Sequence, residues 1–375
     1  MNKLIFIHIP KCGGTTISRF IDDHFDAQEI YPPQQHDEEQ AYAGEGPCNY
    51  NLVRGHFHYE DLKKKGLTGN FVALLRDPKN RIISEYYQIL RTTPAAMRQF
   101  PSRRVVVERV KGMDVAEFIK SRANIQTRFF SSPKPCLKTA LSNLDHMALV
   151  GCTEELSLFS TQLCQLMRWP QKKLSLALNQ TTSREKSSID WESDHLQSVI
   201  KNSNNLDRQL YDYAKDLVQQ QLQNLPSFTE QLGTVAIKNQ YLFCNKLEGR
   251  GWHQRECFNP HSCFRWTSAP TATLNLQPDI QSFDEVHFDL LASKVPNHQI
   301  NIWINGQSCD VQLSKGSANH PTIVAKLKSR QMGRAHVEIK IGTPVPTVIN
   351  LEKGDQRVGG IAVSKITFVD LKDPG

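Results

Sequence analysis

The apolar positions of this chain follow two different periods, and the change between them divides it. From residue 3 to residue 9 the run KLIFIHI is nearly all apolar, as a parallel strand covered on both faces should be. Two glycines follow, and then Ile17, Phe20, Ile21 and Phe25 recur at helical spacing. NLVRGHF (51–57) and NFVALL (70–75) predict two more strands, the latter ended by Arg76-Asp77-Pro78. Ile83, Tyr86, Tyr87 and Leu90 form a helical stripe. HMALVG (146–151) predicts a fourth strand, and Leu156, Phe159, Leu163 and Leu166 line the helix after it. Short apolar strands separated by amphipathic helices predict an α/β domain, a doubly wound parallel sheet flanked by helices. A long amphipathic stretch from Trp191 to Leu225 predicts one further helix, ended by Pro226 and Gly233.

Beyond Gly233 the period becomes two. Val286, Phe288 and Leu290 alternate with polar residues, as do Val337, Ile339 and Ile341, and Ile361 and Val363. Ile300, Ile302 and Ile304 run into Asn305-Gly306, a strong hairpin-turn signal. Strands with no helix between them predict an antiparallel β-sandwich. The expected domains are 1–233 and 234–375.

Composition narrows the picture a little. With 375 residues, 39% hydrophobic and 22% charged, the chain is an ordinary globular protein with room for two cores. A formal net charge of +7 favours anionic ligands, yet no block of like charges marks a nucleic-acid-binding tail. No apolar run is long enough to span a membrane, and His8, Pro10 and Lys11 interrupt the first one before it could serve as a signal peptide. Nine cysteines, an odd number scattered from Cys12 to Cys309, predict free thiols and a reducing, cytoplasmic location. His253, Cys257, His261 and Cys263 could supply four metal ligands, but their spacings match no standard zinc pattern. They are read as loop residues of the second domain, and no metal is expected.

The chemistry starts at PKCGGTT, residues 10–16, between the first strand and the first helix. Helix N-termini carry unpaired N–H groups and favour negative charge. Gly13 and Gly14 would let an anion approach that backbone, Thr15 and Thr16 add hydroxyls, and Lys11 adds charge. A nucleoside-triphosphate loop instead places its lysine after the glycines, beside a hydroxyl for magnesium. Lysine before the glycines, and no clear acidic strand end, disfavour a kinase.

IFIHIPKCGGTTI resembles the 5′-phosphosulfate loop of the carbohydrate sulfotransferases, above all the heparan sulfate 2-O- and 6-O-sulfotransferase group. Cys12 stands where that family commonly has threonine. LLRDPKNRIISEYY, residues 74–87, resembles the same family's 3′-phosphate segment, with Ser84 eight residues after Arg76. The resemblance covers residues 1 to about 230. It implies a P-loop-like sulfotransferase fold and the donor 3′-phosphoadenosine 5′-phosphosulfate (PAPS), with adenosine 3′,5′-bisphosphate as product. It implies donor contacts from Lys11, Cys12, Gly13, Gly14, Thr15 and Thr16, from Arg76 and Ser84, and from Thr182 and Ser183 in the loop LNQTTSREK.

Transfer to a hydroxyl needs a base, and the leaving phosphate needs a positive charge, for which Lys11 is placed. RGHFHYED (54–61) offers His56, His58, Glu60 and Asp61, and its Gly-His pair resembles the segment that carries the family's histidine base. His56 is the expected base, with His58 able to assist. ANIQTRFFS resembles a family segment near the acceptor, which makes Asn124, Gln126 and Arg128 the expected acceptor contacts. Trp252, Trp266 and Trp303 of the second domain could stack on sugar rings. The expected activity is transfer of a sulfuryl group to a glycan hydroxyl. The competing readings are a P-loop kinase and a non-catalytic glycan-binding protein.

Overall fold

The computed structural model describes residues 3–92, 101–170, 189–222, 233–268, 270–315, 321–342 and 359–371. It divides into two compact units. The first comprises residues 1–20 and 29–229, and the second comprises residues 21–28 and 230–375.

The first unit is built on four parallel strands, β1 (Leu4–Ile7), β2 (Leu52–Gly55), β3 (Asn70–Leu75) and β4 (Leu149–Cys152), in the order β2-β1-β3-β4. Leu4, Ile5, Phe6 and Ile7 of β1 are all buried, as its unbroken apolar run requires. The chain leaves β1 to one side for β2, then crosses to the other side for β3. Ligands of open α/β sheets bind beyond the strand C-termini at such a reversal. Helices α1 (Gly14–Asp22), α2 (His36–Ala41), α3 (Tyr59–Lys64) and α4 (Pro78–Leu90) connect these strands or follow them. Asp77 caps α4 by accepting the Asn80 N–H at 2.9 Å, and Pro78 occupies its first turn, so the helix starts directly at the end of β3. The chain continues through α5 (Pro101–Lys111), α6 (Val115–Ser121), α7 (Ile125–Phe130), α8 (Leu137–Asp145) and, after β4, α9 (Leu156–Met167).

The stretch expected as one helix forms two, α10 (Asp194–Ser203) and α11 (Asn205–Leu222). Asn204 interrupts it, because its side-chain oxygen accepts the Asn124 N–H at 3.1 Å.

The second unit carries two sheets. One runs β13-β12-β16-β10-β5 and the other β14-β15-β11-β17-β9-β8. Their strands are β5 (Val235–Ile237), β6 (Gln240–Leu242), β7 (Gly249–Arg250), β8 (Glu256–Asn259), β9 (Ser262–Trp266), β10 (Thr271–Pro278), β11 (Phe283–Ser293), β12 (Ile300–Ile304), β13 (Gln307–Ser308), β14 (Asp310–Lys315), β15 (Pro321–Gln331), β16 (Ala335–Ile341) and β17 (Ile361–Val369), with β6 added beside β17 and β7 beside β10. Pairing is antiparallel throughout these strands except between β5 and β10. The alternating positions face one core, with Val286, Phe288, Ile302, Ile304, Val337, Ile339 and Ile366 all buried in it. Asn305 and Gly306 take φ of 51° and 80°, the two positive values that a tight hairpin turn demands. The expected β-sandwich is present.

The expectation for the cysteines of this unit needs correction. Cys257 and Cys263 are opposite each other in the β8–β9 hairpin, with Cα atoms 3.9 Å apart, and are joined as a disulfide. The remaining seven cysteines are free. The expectation of free thiols throughout fails at this pair, because the hairpin register brings two side chains to one point. A bonded pair also leaves no thiolates to join His253 and His261 around a metal. Trp266 is buried and Trp252 packs partly buried against the core, its indole N–H on the Thr273 carbonyl at 3.0 Å. Trp303 is half-buried, with the Lys340 ammonium 4.2 Å over its ring.

Residues 21–28 are held inside this unit. The Arg255 guanidinium donates to the carbonyls of Asp22 at 3.2 Å and Phe25 at 2.6 Å, and Arg265 pairs with Asp23 at 2.7 Å.

Candidate active site

The C-terminal ends of β1, β2 and β3 each release one chemically distinct side chain. Beyond β1 the chain turns through residues 10–13 and enters α1 at Gly14. Lys11 takes φ of +69° and Gly13 +75°. The turn is tight at Gly14, where an added Cβ would lie 1.9 Å from a ring carbon of His8. The N–H groups of Gly13, Gly14 and Thr15 bond to no backbone carbonyl among the described residues. They form an open row of donors at a helix start, the arrangement that binds anions. Thr15 is exposed beside them and Thr16 is buried.

Lys11 is half-buried. Burial first, then the charges of Arg76 and Arg91, lower its pKa to about 8. An anion in the loop would reverse this by restoring favourable company for the ammonium. Cys12 has no such role through its sulfur. The side chain is buried, the thiol donates to the Gln126 side-chain oxygen at 3.3 Å, and burial pushes its pKa up to about 12.

At the end of β3, Arg76 donates from Nη1 to the Lys11 carbonyl at 3.0 Å. Its Nε is buried without a hydrogen-bond partner. Buried guanidinium N–H groups are costly to leave unpaired, so this orphan marks a place for an acceptor. Ser84 is buried on α4, two turns after Arg76.

At the end of β2, His56 donates from Nδ1 to the His8 carbonyl at 2.6 Å. A carbonyl oxygen only accepts, so the proton sits on Nδ1 and Nε2 keeps its lone pair. The rings of His8 and His56 lie 4.4 Å apart. Burial lowers the pKa of His56, against opposing contributions from the His8 carbonyl and the Glu38 carboxylate. The pKa of His8 falls to about 3, through burial and then the charges of His56, Arg54 and Lys11. Both imidazoles are therefore neutral at pH 7. His58 lies at the start of α3, its Nδ1 3.3 Å from Asp61, with its ring edge-on to Phe129. The Glu60 carboxylate takes the Asn143 amide at 2.8 Å.

The three residues expected at the acceptor part company. The side-chain oxygen of Asn124 accepts from the N–H groups of Leu206 and Asp207, at 3.1 and 3.2 Å. The side chain of Gln126 is fully buried and bonded to the backbone of Arg76 and to Cys12. Arg128 is exposed. Thr182 and Ser183 lie outside the described residues, as does the rest of LNQTTSREK. His8 and Glu38 were not among the expected site residues. His8 had been read only as an interruption of an apolar run, and nothing in the sequence distinguishes Glu38 from its acidic neighbours.

A strand–helix anion cradle, a guanidinium on the next strand end and a neutral histidine fixed in one tautomer make this unit an α/β protein for handling an anionic ligand. The family model for the sulfotransferase family matches residues 1–247, and the chain belongs to that family. It is 25% identical over 276 residues to heparan-sulfate 6-O-sulfotransferase 1-B of Danio rerio, a match covering 59% of this chain and 67% of the relative. Among solved structures, it is similar to CsCBM6-3 of Clostridium stercorarium, solved in complex with cellobiose. That likeness is 11% identical, covers 37% of this chain and 98% of that one, and has a TM-score of 0.25. A β-1,3-glucan binding CBM6 of Bacillus halodurans gives 11% identity, 37% and 100% coverage, and a TM-score of 0.26. Among the described residues no helix is long and apolar enough to cross a membrane.

Proposed function

We propose that this chain transfers a sulfuryl group from PAPS to a glycan hydroxyl, with His56 as general base and Lys11 as stabiliser of the leaving phosphate. The observation that carries the reading is the bond from His56 Nδ1 to the His8 carbonyl, which leaves Nε2 as an acceptor for a hydroxyl proton. The residues present fit the donor. The free N–H groups of Gly13, Gly14 and Thr15 suit its 5′ end, and the orphaned Nε of Arg76 with the Ser84 hydroxyl suits its 3′-phosphate. When bound, the donor supplies the sulfuryl group and leaves as adenosine 3′,5′-bisphosphate. His56 takes the acceptor proton as the new S–O bond forms, and its imidazolium is held by the His8 carbonyl and the Glu38 charge. Lys11, protonated, meets the charge that develops on the departing bridging oxygen. Arg128, exposed on α7, is the residue of the expected three left to meet the acceptor. A glycan acceptor is supported by the name of the Danio rerio relative. Positioning and charge carry this chemistry, as in phosphoryl transfer, and Lys11 occupies the role that magnesium has in kinases.

The direct test is calorimetric. Adenosine 3′,5′-bisphosphate is expected to bind without magnesium, and more tightly than ATP with it. Preference for ATP–magnesium would return the chain to the kinase reading. Sulfate transfer to a panel of glycans then identifies the acceptor.

The pH dependence of kcat/KM follows from two groups. His56 must be neutral, so the rate is lost as pH falls through its pKa, which burial holds below the ordinary 6.5. Lys11 must be charged, so the rate is lost as pH rises through about 8. A bell with an acid limb below pH 6.5 and an alkaline limb near pH 8 is expected from the free enzyme. A rate that keeps climbing above pH 8 would remove Lys11 as the charged stabiliser of the leaving group.

A further inference from the structure

We propose that Gln126 is a positioning residue that ties the 5′-phosphate loop to the 3′-phosphate arginine, so that the two phosphates of the nucleotide are read as a pair. The inference rests on the donor reading above. Its basis is one fully buried amide that makes three hydrogen bonds between two strand ends. The Gln126 Oε1 accepts the Arg76 N–H at 2.9 Å and the Cys12 thiol at 3.3 Å. Its Nε2 donates to the Arg76 carbonyl at 2.8 Å. Arg76 in turn holds the Lys11 carbonyl at 3.0 Å, which closes a ring of contacts from loop to strand end and back.

Gln126 is itself anchored. Its N–H donates to the Asp207 carboxylate at 3.1 Å, and that carboxylate also takes the N–H and hydroxyl of Thr127, both at 2.7 Å. Asp207 is fully buried on α11, and Asn124 caps the start of the same helix. The amide therefore hangs from a rigid support and cannot follow either strand end if one moves. Buried polar groups bonded on several sides specify one geometry strongly. Spacing between the loop donors and the Arg76 guanidinium is the quantity fixed here, and it must match the distance between the 5′ and 3′ substituents of one ribose. Cys12 is the loop's only side-chain link to the amide, and it gives a buried sulfur at this position a purpose that the family's more usual threonine would meet with a hydroxyl.

A thermodynamic cycle of four ligands tests this. Adenosine, 5′-AMP, 3′-AMP and adenosine 3′,5′-bisphosphate are titrated into the full chain, and the excess of the bisphosphate over the two separate phosphate gains is the synergy. In the wild-type chain a synergy of about tenfold or more is expected, the scale of one or two hydrogen bonds held in register. Gln126→Met, of similar length but without polar atoms, is expected to bring it close to one. Cys12→Ala, which cuts only the loop arm and leaves the Arg76 bonds, is expected to fall between. Equal weakening of all four ligands by Gln126→Met, as a purely structural role would produce, overturns the proposal, as does unchanged synergy in both variants. If Gln126→Met does not fold, the Cys12→Ala cycle decides alone.

Alkylation of Cys12 by iodoacetamide, followed on its own peptide by mass, gives a readout that needs no nucleotide. It is expected to run several-fold faster in Gln126→Met than in the wild-type chain, and equal rates count against the tether. Should the wild-type chain bind none of the four ligands, the donor reading falls, and the labelling rates by themselves uphold or overturn the tether.

Discussion

His56→Ala is expected to lower the transfer rate by about 10²- to 10⁴-fold, the range for removal of a general base. The affinity for adenosine 3′,5′-bisphosphate should stay within a few-fold of the wild-type value. The separation is the informative part. A base acts on the acceptor, and His56 is bonded to the His8 carbonyl, not to the loop donors or to Arg76. The variant removes the imidazole without orphaning a donor, since the His8 carbonyl is a backbone acceptor and water can take the vacated place. The measurement is single-turnover transfer at saturating donor, beside calorimetry of product binding. Normal turnover in His56→Ala would move the base elsewhere. His58 would come first, although its Nδ1 faces Asp61. Glu60 would follow, although one of its oxygens already accepts from Asn143. A parallel fall in nucleotide affinity would mean that His56 belongs to the donor site.

The second large effect is expected at Arg76. Arg76→Ala should weaken adenosine 3′,5′-bisphosphate by about 10²-fold, the scale of one or two charge-assisted hydrogen bonds in a buried site. Binding of 5′-AMP should weaken much less. It should weaken somewhat, because Arg76 also supports the Lys11 carbonyl and hence the loop. Arg76→Lys keeps the charge but loses the planar fork, and should recover only part of the loss. Calorimetry on the two nucleotides decides the matter. Equal losses would mean that Arg76 supports the loop alone and does not read the 3′-phosphate.

What was legible in the chain follows the distance over which each signal acts. The strand ends, the glycine turn and the arginine after β3 are local, and each announces itself within about ten residues. The sandwich is legible for the same reason, since Ile300, Ile302 and Ile304 alternate before a turn whose residues adopt the required left-handed backbone. The work of Gln126 is not local. Its partners lie 50, 81 and 114 residues away in the chain, and in sequence it is one polar residue on a helix. Asn204 breaks a continuous amphipathic pattern for the sake of a residue 80 positions earlier. The disulfide needed the exact hairpin register: Cys257 meets Cys263 only because an irregularity after 257 sets the pairing of the turn. His8 was visible but misread in kind. Its ring occupies the space that Gly14 leaves free, and its carbonyl sets the tautomer of His56.

The non-contiguous make-up of the second unit bears on how this protein can be cut or grafted. Residue 233 looks like a natural seam, because the hydrophobic period changes there. Yet residues 21–28, at the far end of the helix that opens at Gly14, count with the sandwich. Arg255 caps the carbonyls of Asp22 and Phe25, Arg265 pairs with Asp23, and the N–H groups of Lys246 and Leu247 bond to Asp26 and Asp23. Deleting everything after 233 would strip that octapeptide of its caps, and transplanting 234–375 to another host would leave Arg255 and Arg265 with only the carbonyls of Asn245 and His253. The portable module is a sandwich with an eight-residue graft from the other end of the chain, and a shuffling event that respected only the linear seam would carry neither half away intact.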